Sequence, residues 1–245
     1  MGQKIEMLGD RVWHRYSREN LNVSLLVSLV VLFLLYPVMV ELGLVRFYRW
    51  VFIFELILAS FAMASTWAHR NLAVALGAPA ILFQMVAYSL PSRLSLGMAA
   101  LATLVFLVYV IIVVYRLLLA PGVVTGDKLA AAVNVYLLLG LAWAIAYGVI
   151  ATLDYGAFTT STIKFETLEE YVELGAEFVF IYFSFVTITT LGYGDVLPVT
   201  PIAQTAAWTE AVVGQLFVAV TIARLVGLLG RRDVMGSRKH QDDRD

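Results

Sequence analysis

Six apolar runs, each long enough to cross a bilayer as a helix, dominate this chain at roughly 22–44, 48–67, 71–90, 95–118, 129–152 and 205–229. A helix advances about 1.5 Å per residue, so about 20 apolar residues match a hydrocarbon core of about 30 Å. A seventh apolar segment, about 176–189, is too short for a crossing and runs into a glycine-containing turn, which suits a re-entrant helix. Of the 245 residues, 61% are hydrophobic and 14% charged, with a mean hydropathy of +0.84. Soluble chains lie near about 45–50% and about 25%. The expected fold class is therefore an all-α membrane protein with six transmembrane helices and one re-entrant helix.

Composition also excludes several functions. A net charge of −1 gives no global reason to expect nucleic acid as a partner. Cysteine is absent, which removes disulfides, thiolate zinc sites and cysteine nucleophiles together. His14, His69 and His240 are scattered, none at metal-ligand spacing from another, so they read as ordinary surface histidines. With no ligand cluster and no catalytic dyad, neither enzymatic activity nor a cofactor is expected.

Lysine and arginine orient the spans. With the N-terminus inside and the runs alternating, 13 basic residues fall inside and only Arg46, Arg49, Arg93 and Lys164 outside. Both termini are accordingly placed in the cytoplasm. The first run is too long for a cleaved leader and lacks a small-x-small exit, so it reads as a signal anchor. Residues 1–20 form a cytoplasmic segment in which Ile5, Met7, Leu8, Val12 and Trp13 alternate with charges. That pattern fits an interfacial amphipathic helix or a solvated leader. Pro121, Gly122 and Gly126 in the link 119–128 mark a boundary between a four-helix module, 21–119, and a second module, 129–230. Residues 231–245 form a cytoplasmic tail too short to bury a core.

The stretch from Phe178 to Asp195 begins as an aromatic-rich apolar helix and ends in Thr187, Thr189, Thr190, Leu191, Gly192, Tyr193 and Gly194. Irregular backbone at membrane depth is tolerated only when buried in protein or lining a watery cavity. Glycines at 192 and 194 permit backbone angles that other residues disfavour. Alternating such residues turns successive carbonyls toward one axis. Four copies would then stack rings of oxygens able to replace a cation's hydration shell.

Thr189-Thr190-Leu191-Gly192-Tyr193-Gly194-Asp195 resembles the filter signature of potassium channels in the tetrameric pore-loop cation channel superfamily. Leu191 stands where valine is commoner and keeps an apolar side chain behind the filter. The resemblance covers about 129–230 and implies a homotetramer around one pore: three identical partner subunits, membrane lipid, and K+ as the permeant ion. K+ would bind at Thr190, Leu191, Gly192 and Tyr193, with Gly194 completing the filter. A bacterial inner membrane is the implied location.

The same resemblance assigns supporting roles. Tyr182 and Asp195 occupy positions where the family often joins pore helix to filter by a hydrogen bond. Phe183 replaces a second aromatic partner and is left to pack, and Val186 stands where some relatives carry a bracing glutamate. Gly214, 19 residues after Asp195, matches the inner-helix hinge. Gln215, Val218, Ile222 and Val226, spaced by 3, 4 and 4, would face the ion cavity.

Charges elsewhere are informative too. Glu210 and Glu55 lie within spans, where an ionisable group costs about 2.5 kcal/mol or more and needs a partner. Glu210 is read as a brace behind the filter, or else as a protonated structural glutamate. Glu55 is a remnant countercharge or a polar contact between helices. Arg224 is expected to snorkel to the inner interface. Asp154, Glu166, Glu169, Glu170, Glu173 and Glu177, opposed by Lys164, form either a negative vestibule or a solvated turret. The fourth run holds only Arg116 near its inner end, with Arg93 just before it, about 34 Å of helix away. The arginine array of a voltage sensor is missing, so gating is expected at the filter or at an inner-helix crossing near Ile222 to Gly230. Two rivals are a weakly selective cation channel and a potassium uptake subunit. The latter usually fuses four degenerate loops, whereas here one loop carries both glycines.

Overall fold

The computed structural model describes residues 20–63, 67–120, 124–154, 156–160 and 176–242. The amphipathic pattern before residue 20, Pro121 and Gly122, and Lys164, Glu166, Glu169, Glu170 and Glu173 lie outside the described residues, as does the side chain of Glu177. The elements run α1 (Leu21–Glu41), α2 (Val45–Met63), α3 (Trp67–Ser89), α4 (Arg93–Leu119), α5 (Gly126–Leu153), β1 (Phe158–Thr160), α6 (Ala176–Ile188), β2 (Val196–Pro198) and α7 (Pro201–Asp242).

Polar caps set the helix ends that the apolar runs leave open. Ser92 and Ser95 cap α4 reciprocally: Ser95 N–H donates to Ser92 Oγ at 3.0 Å and Ser92 N–H to Ser95 Oγ at 2.9 Å. Helix α1 borrows its cap from another helix. The Asp127 carboxylate, in the first turn of α5, accepts from the N–H groups of Asn22 at 2.8 Å and Val23 at 3.3 Å. Thr125 caps α5, which therefore starts at Gly126, before the expected 129, and shortens the link.

Among the described residues, five helices are long and apolar enough to cross a membrane: Leu21–Met39 of α1, all of α3, α4 and α5, and Pro201–Leu228 of α7. Residues 64–66 of the second expected span lie outside the described residues. Helix α2 is 19 residues long and carries Arg46, Arg49 and Glu55, with Trp50–Ser60 its apolar stretch among the described residues. A count of six crossings, and the orientation built on it, requires α2 to cross with those charges. Residues 231–242, expected as a separate tail, continue α7 without a break. Glycines at 227, 230 and 236 cost about 1 kcal/mol each relative to alanine, but no proline interrupts the hydrogen-bond ladder after Pro201.

Two apolar cores organise the chain. The larger joins α1–α4 to α5: Leu29, Leu56, Phe106, Val110 and Val114 pack in one cluster with Val135, Leu138 and Leu141. It includes residues from both sides of the 119–128 link. The smaller gathers Tyr147, Phe158, Phe180, Phe183, Val196 and Ala203 from α5, β1, α6, β2 and α7. Its centre is an edge-to-face aromatic group, with Phe183 centred 4.9 Å from Tyr147 and Phe158 5.0 Å from Phe180. The three-residue ribbon β1–β2 is absent from the sequence expectations. It pairs antiparallel with Phe158 opposite Pro198, Thr159 opposite Leu197 and Thr160 opposite Val196. The ribbon fastens the chain just beyond α5 to the residues that follow Asp195.

Candidate functional site

The segment 189–195 begins where α6 runs out of partners for its last carbonyls. Val186 O accepts from Leu191 N–H at 2.9 Å and Gly192 N–H at 3.3 Å, and Thr190 N–H donates to Thr187 O at 2.9 Å. Beyond that cap the backbone alternates. Thr190, Gly192 and Gly194 have φ of 59°, 58° and 77°, and Thr190 is the one non-glycine with positive φ among the described residues. Glycine takes this conformation freely; a β-branched threonine takes it at a cost of order 1–3 kcal/mol. Left-handed residues at every second position bring successive carbonyls toward a common side. Thr189 to Gly194 are all exposed in the single chain, with Leu191 at 55% and Tyr193 at 66%.

Tyr182 and Asp195 are brought together. The Tyr182 hydroxyl donates to Asp195 Oδ2 at 2.6 Å, while Asp195 Oδ1 accepts from Val196 N–H at 3.1 Å. That bond pushes the Tyr182 phenol up to about 12, so it remains the donor throughout the neutral range. The Tyr182 ring also stacks on Tyr193, with centroids 6.4 Å apart and planes 7° from parallel. Phe183 packs in the aromatic core and Val186 is buried. The side chains of 189–195 are tied to α6 by the Tyr182–Asp195 hydrogen bond and by the Thr189 hydroxyl, which donates to Phe185 O at 2.6 Å.

Glu210 is fully buried and joins three helices. Its Oε2 accepts from the Tyr147 hydroxyl of α5, and its Oε1 lies against Ser184 Oγ of α6. Ser184 Oγ is also 2.6 Å from Gly140 O, an oxygen that only accepts. A serine hydroxyl has a single hydrogen, so both contacts are hydrogen bonds only if Glu210 itself carries a proton on Oε1. Neither Ser184 nor Tyr147 was singled out from the sequence. The available signal was modest: Ser184 interrupts an otherwise apolar stretch of α6, and a buried tyrosine hydroxyl needs a partner.

Gly214, expected as a hinge, lies in unbroken helix against the end of α6. A Cβ there would sit 2.5 Å from Ile188 Cγ1 and 2.8 Å from Ile188 O. The Ile188 carbonyl also accepts from the Tyr136 hydroxyl at 3.2 Å. Gly140 repeats the device on α5, where a Cβ would meet the Phe185 ring at 2.8 Å. Gln215, Val218, Ile222 and Val226 are all exposed in the single chain, but so are Val212, Leu216 and Val220, so exposure does not single out the four. Arg224, expected at the membrane interface, donates from Nη2 to Leu119 O, at the end of α4, at 2.6 Å. Glu55 Oε1 is buried and has no hydrogen-bond partner among the described residues.

Comparison with curated proteins and with solved structures returns no match for this chain. A family model described as an ion channel matches residues 148–231, 84 of the 245, a segment that runs from the end of α5 through α6, the 189–195 turn and the apolar length of α7. Over that third of its length, which holds Tyr182, the 189–195 turn, Glu210 and Gly214 but not Tyr136, Gly140 or Tyr147, the chain is similar to a pore-loop ion channel.

Proposed function

We propose that the chain is one subunit of a homotetrameric potassium-selective channel, conducting K+ passively through the backbone carbonyls and threonine hydroxyl of Thr190-Leu191-Gly192-Tyr193-Gly194. The observation that carries the reading is the alternation of positive φ at Thr190, Gly192 and Gly194 in an exposed turn directly after a short apolar helix. A single copy presents one wall of such a pathway, so closing a ring of oxygens takes four. Leu191 and Tyr193, exposed in the single chain, would then pack between neighbouring subunits. The same holds for the apolar surface of α7, where Val212, Leu216 and Val220 lie open. On this reading Tyr182, Asp195 and Glu210 support the filter, and Gln215, Val218, Ile222 and Val226 line the cavity below it.

Strong voltage dependence is not part of the proposal. Helix α4 has Arg93 at its first turn and Arg116 at its last, and no charge between them. Moving one charge across the field is worth about 2.3 kcal/mol per 100 mV, so steep gating needs several within the span.

The test is flux and recording from purified protein in liposomes, with K+, Rb+ and Na+ substituted in turn across voltage. K+ and Rb+ permeability well above Na+ is expected, with shallow voltage dependence. Equal Na+ and K+ permeability would replace the reading with a weakly selective cation channel. Undiminished flux in Gly192→Ala or Tyr193→Ala would refute the assignment of the filter.

A further inference from the structure

A cavity of about 190 Å³ lies between the first four helices and the helices that carry the site. Phe33 and Tyr36 of α1, Gln84 of α3 and Thr103 of α4 line it on one side, Phe178 and Phe180 of α6 on the other. Among the described residues no charged side chain lines it. An apolar cavity of about 150 Å³ is already large enough to hold benzene, so this one has room for a ring and a small substituent.

The wall also carries the side-chain amide of Gln84. Gln84 lies on the buried face of α3 in line with Ala73, Gly77, Ala80 and Ala87, and is 7% exposed. Among the described residues nothing hydrogen-bonds its amide, which offers two donors and an acceptor. The other hydroxyls of known partnership in the wall are satisfied: Thr103 Oγ1 donates to Ala99 O at 2.8 Å, Tyr48 to Leu32 O at 3.0 Å and Thr152 Oγ1 to Val149 O at 2.8 Å. A polar group that lines a cavity is satisfied by whatever occupies it.

We infer that this cavity is a binding site for a small neutral amphipath: an apolar body of about one ring carrying a single hydroxyl or carbonyl. The apolar and aromatic side chains that line it among the described residues suit a neutral ligand. Ring faces and edges from Phe33, Tyr36, Phe178 and Phe180 select an apolar, preferably flat body. The Gln84 amide selects the polar group and fixes which end of the molecule meets α3. Such molecules partition into bilayers, so a site among membrane-crossing helices is reached from the lipid. Its occupant would contact the same face of α6 that packs against α1, whether or not the chain conducts potassium.

The test is fluorine NMR of the full chain in detergent micelles, titrated with 4-fluorophenol and, separately, with 4-fluorotoluene. Wild type is expected to bind 4-fluorophenol saturably at one site per subunit, and more tightly than 4-fluorotoluene. In Gln84→Leu the 4-fluorophenol affinity should fall about three- to tenfold, the loss expected for one hydrogen bond, while 4-fluorotoluene is held as well or better. Ala100→Phe, which fills the cavity, should abolish binding of both. Non-saturating partition into the micelle, or equal affinities for the two probes unchanged by Gln84→Leu, would overturn the inference. Because the readout is binding, it stands or falls separately from ion flux.

Discussion

The role of Gly214 can be decided by one double-mutant cycle. In the structure the glycine is a contact, with α7 approaching the last residue of α6 so closely that no side chain fits between them. A Cβ at 214 would lie 2.5 Å from Ile188 Cγ1, whereas ordinary carbon contacts lie at about 3.5–4.0 Å, so the helices would have to part by about 1 Å. Overpacking of that kind costs about 1–3 kcal/mol. Replacing a helical glycine by alanine returns about 1 kcal/mol, leaving Gly214→Ala neutral to destabilising by about 2 kcal/mol. Ile188→Ala alone, which empties a fully buried position, should cost about 2–5 kcal/mol. In the double variant the new methyl occupies room that Ile188 vacates. The two changes should therefore be less harmful together than their sum, by at least about 1 kcal/mol, while the contact to Ile188 O at 2.8 Å keeps the rescue partial. The assay is thermal or denaturant unfolding of the four proteins in detergent, with ion flux measured in parallel. A hinge needs glycine for its freedom to bend, so it predicts additivity within about 0.5 kcal/mol. A stabilising Gly214→Ala combined with an additive cycle would refute the packing argument.

Three further outcomes follow from the hydrogen bonds. Glu210→Gln should unfold within about 1 kcal/mol of wild type, since a neutral amide can give a hydrogen to Ser184 and take one from Tyr147; Glu210→Leu should cost about 1–3 kcal/mol, read as a lowered melting temperature. If glutamine proves as damaging as leucine, the proton assigned to Glu210 is wrong. Tyr182→Phe removes the donor to Asp195 while keeping the ring stacked on Tyr193, and should alter open probability or ion selectivity in single-channel recordings; unchanged records would remove Tyr182 from the support of the filter. Asp127→Ala leaves the first N–H groups of α1 without their acceptor and should destabilise the chain by about 1 kcal/mol, with Asp127→Asn intermediate; equal unfolding midpoints for all three would show that α1 needs no such cap.

The sequence carries the long apolar helices well because length and hydropathy are local properties. In α2, Arg46, Arg49 and Glu55 share the segment with a good apolar run, and their partners are not revealed by pattern. The 189–195 turn is legible because its glycines declare unusual backbone angles, yet Thr190 takes the same angle without any such sign. Tyr182 and Asp195 lie 13 residues apart and are paired by the resemblance to potassium channels alone; Glu210 meets Tyr147 across 63 residues and Ser184 across 26, and no local rule anticipates those contacts. The sequence marks Gly214 as a position without choosing its role, since a hinge and a close approach ask for the same residue. The ribbon was invisible: three residues per strand are too few to show an alternating pattern.

That ribbon has a consequence for how the chain can vary. Side chains along a strand alternate between faces, so pairing Phe158 one residue out of step with Pro198 would turn its ring from the core toward the opposite side. Phe158 cannot turn without vacating its place against Tyr147, Phe180 and Phe183. The four residues from Asp195 to Pro198 are therefore a measured length, with the Tyr182 hydroxyl at one end and a fixed strand partner at the other. Inserting or deleting a single residue there would force a choice between the hydrogen bond to Asp195 and the seat of Phe158. Changes in length are better absorbed elsewhere in the chain, and the spacing from Gly194 to Pro198 works as a ruler laid between the turn and the aromatic core.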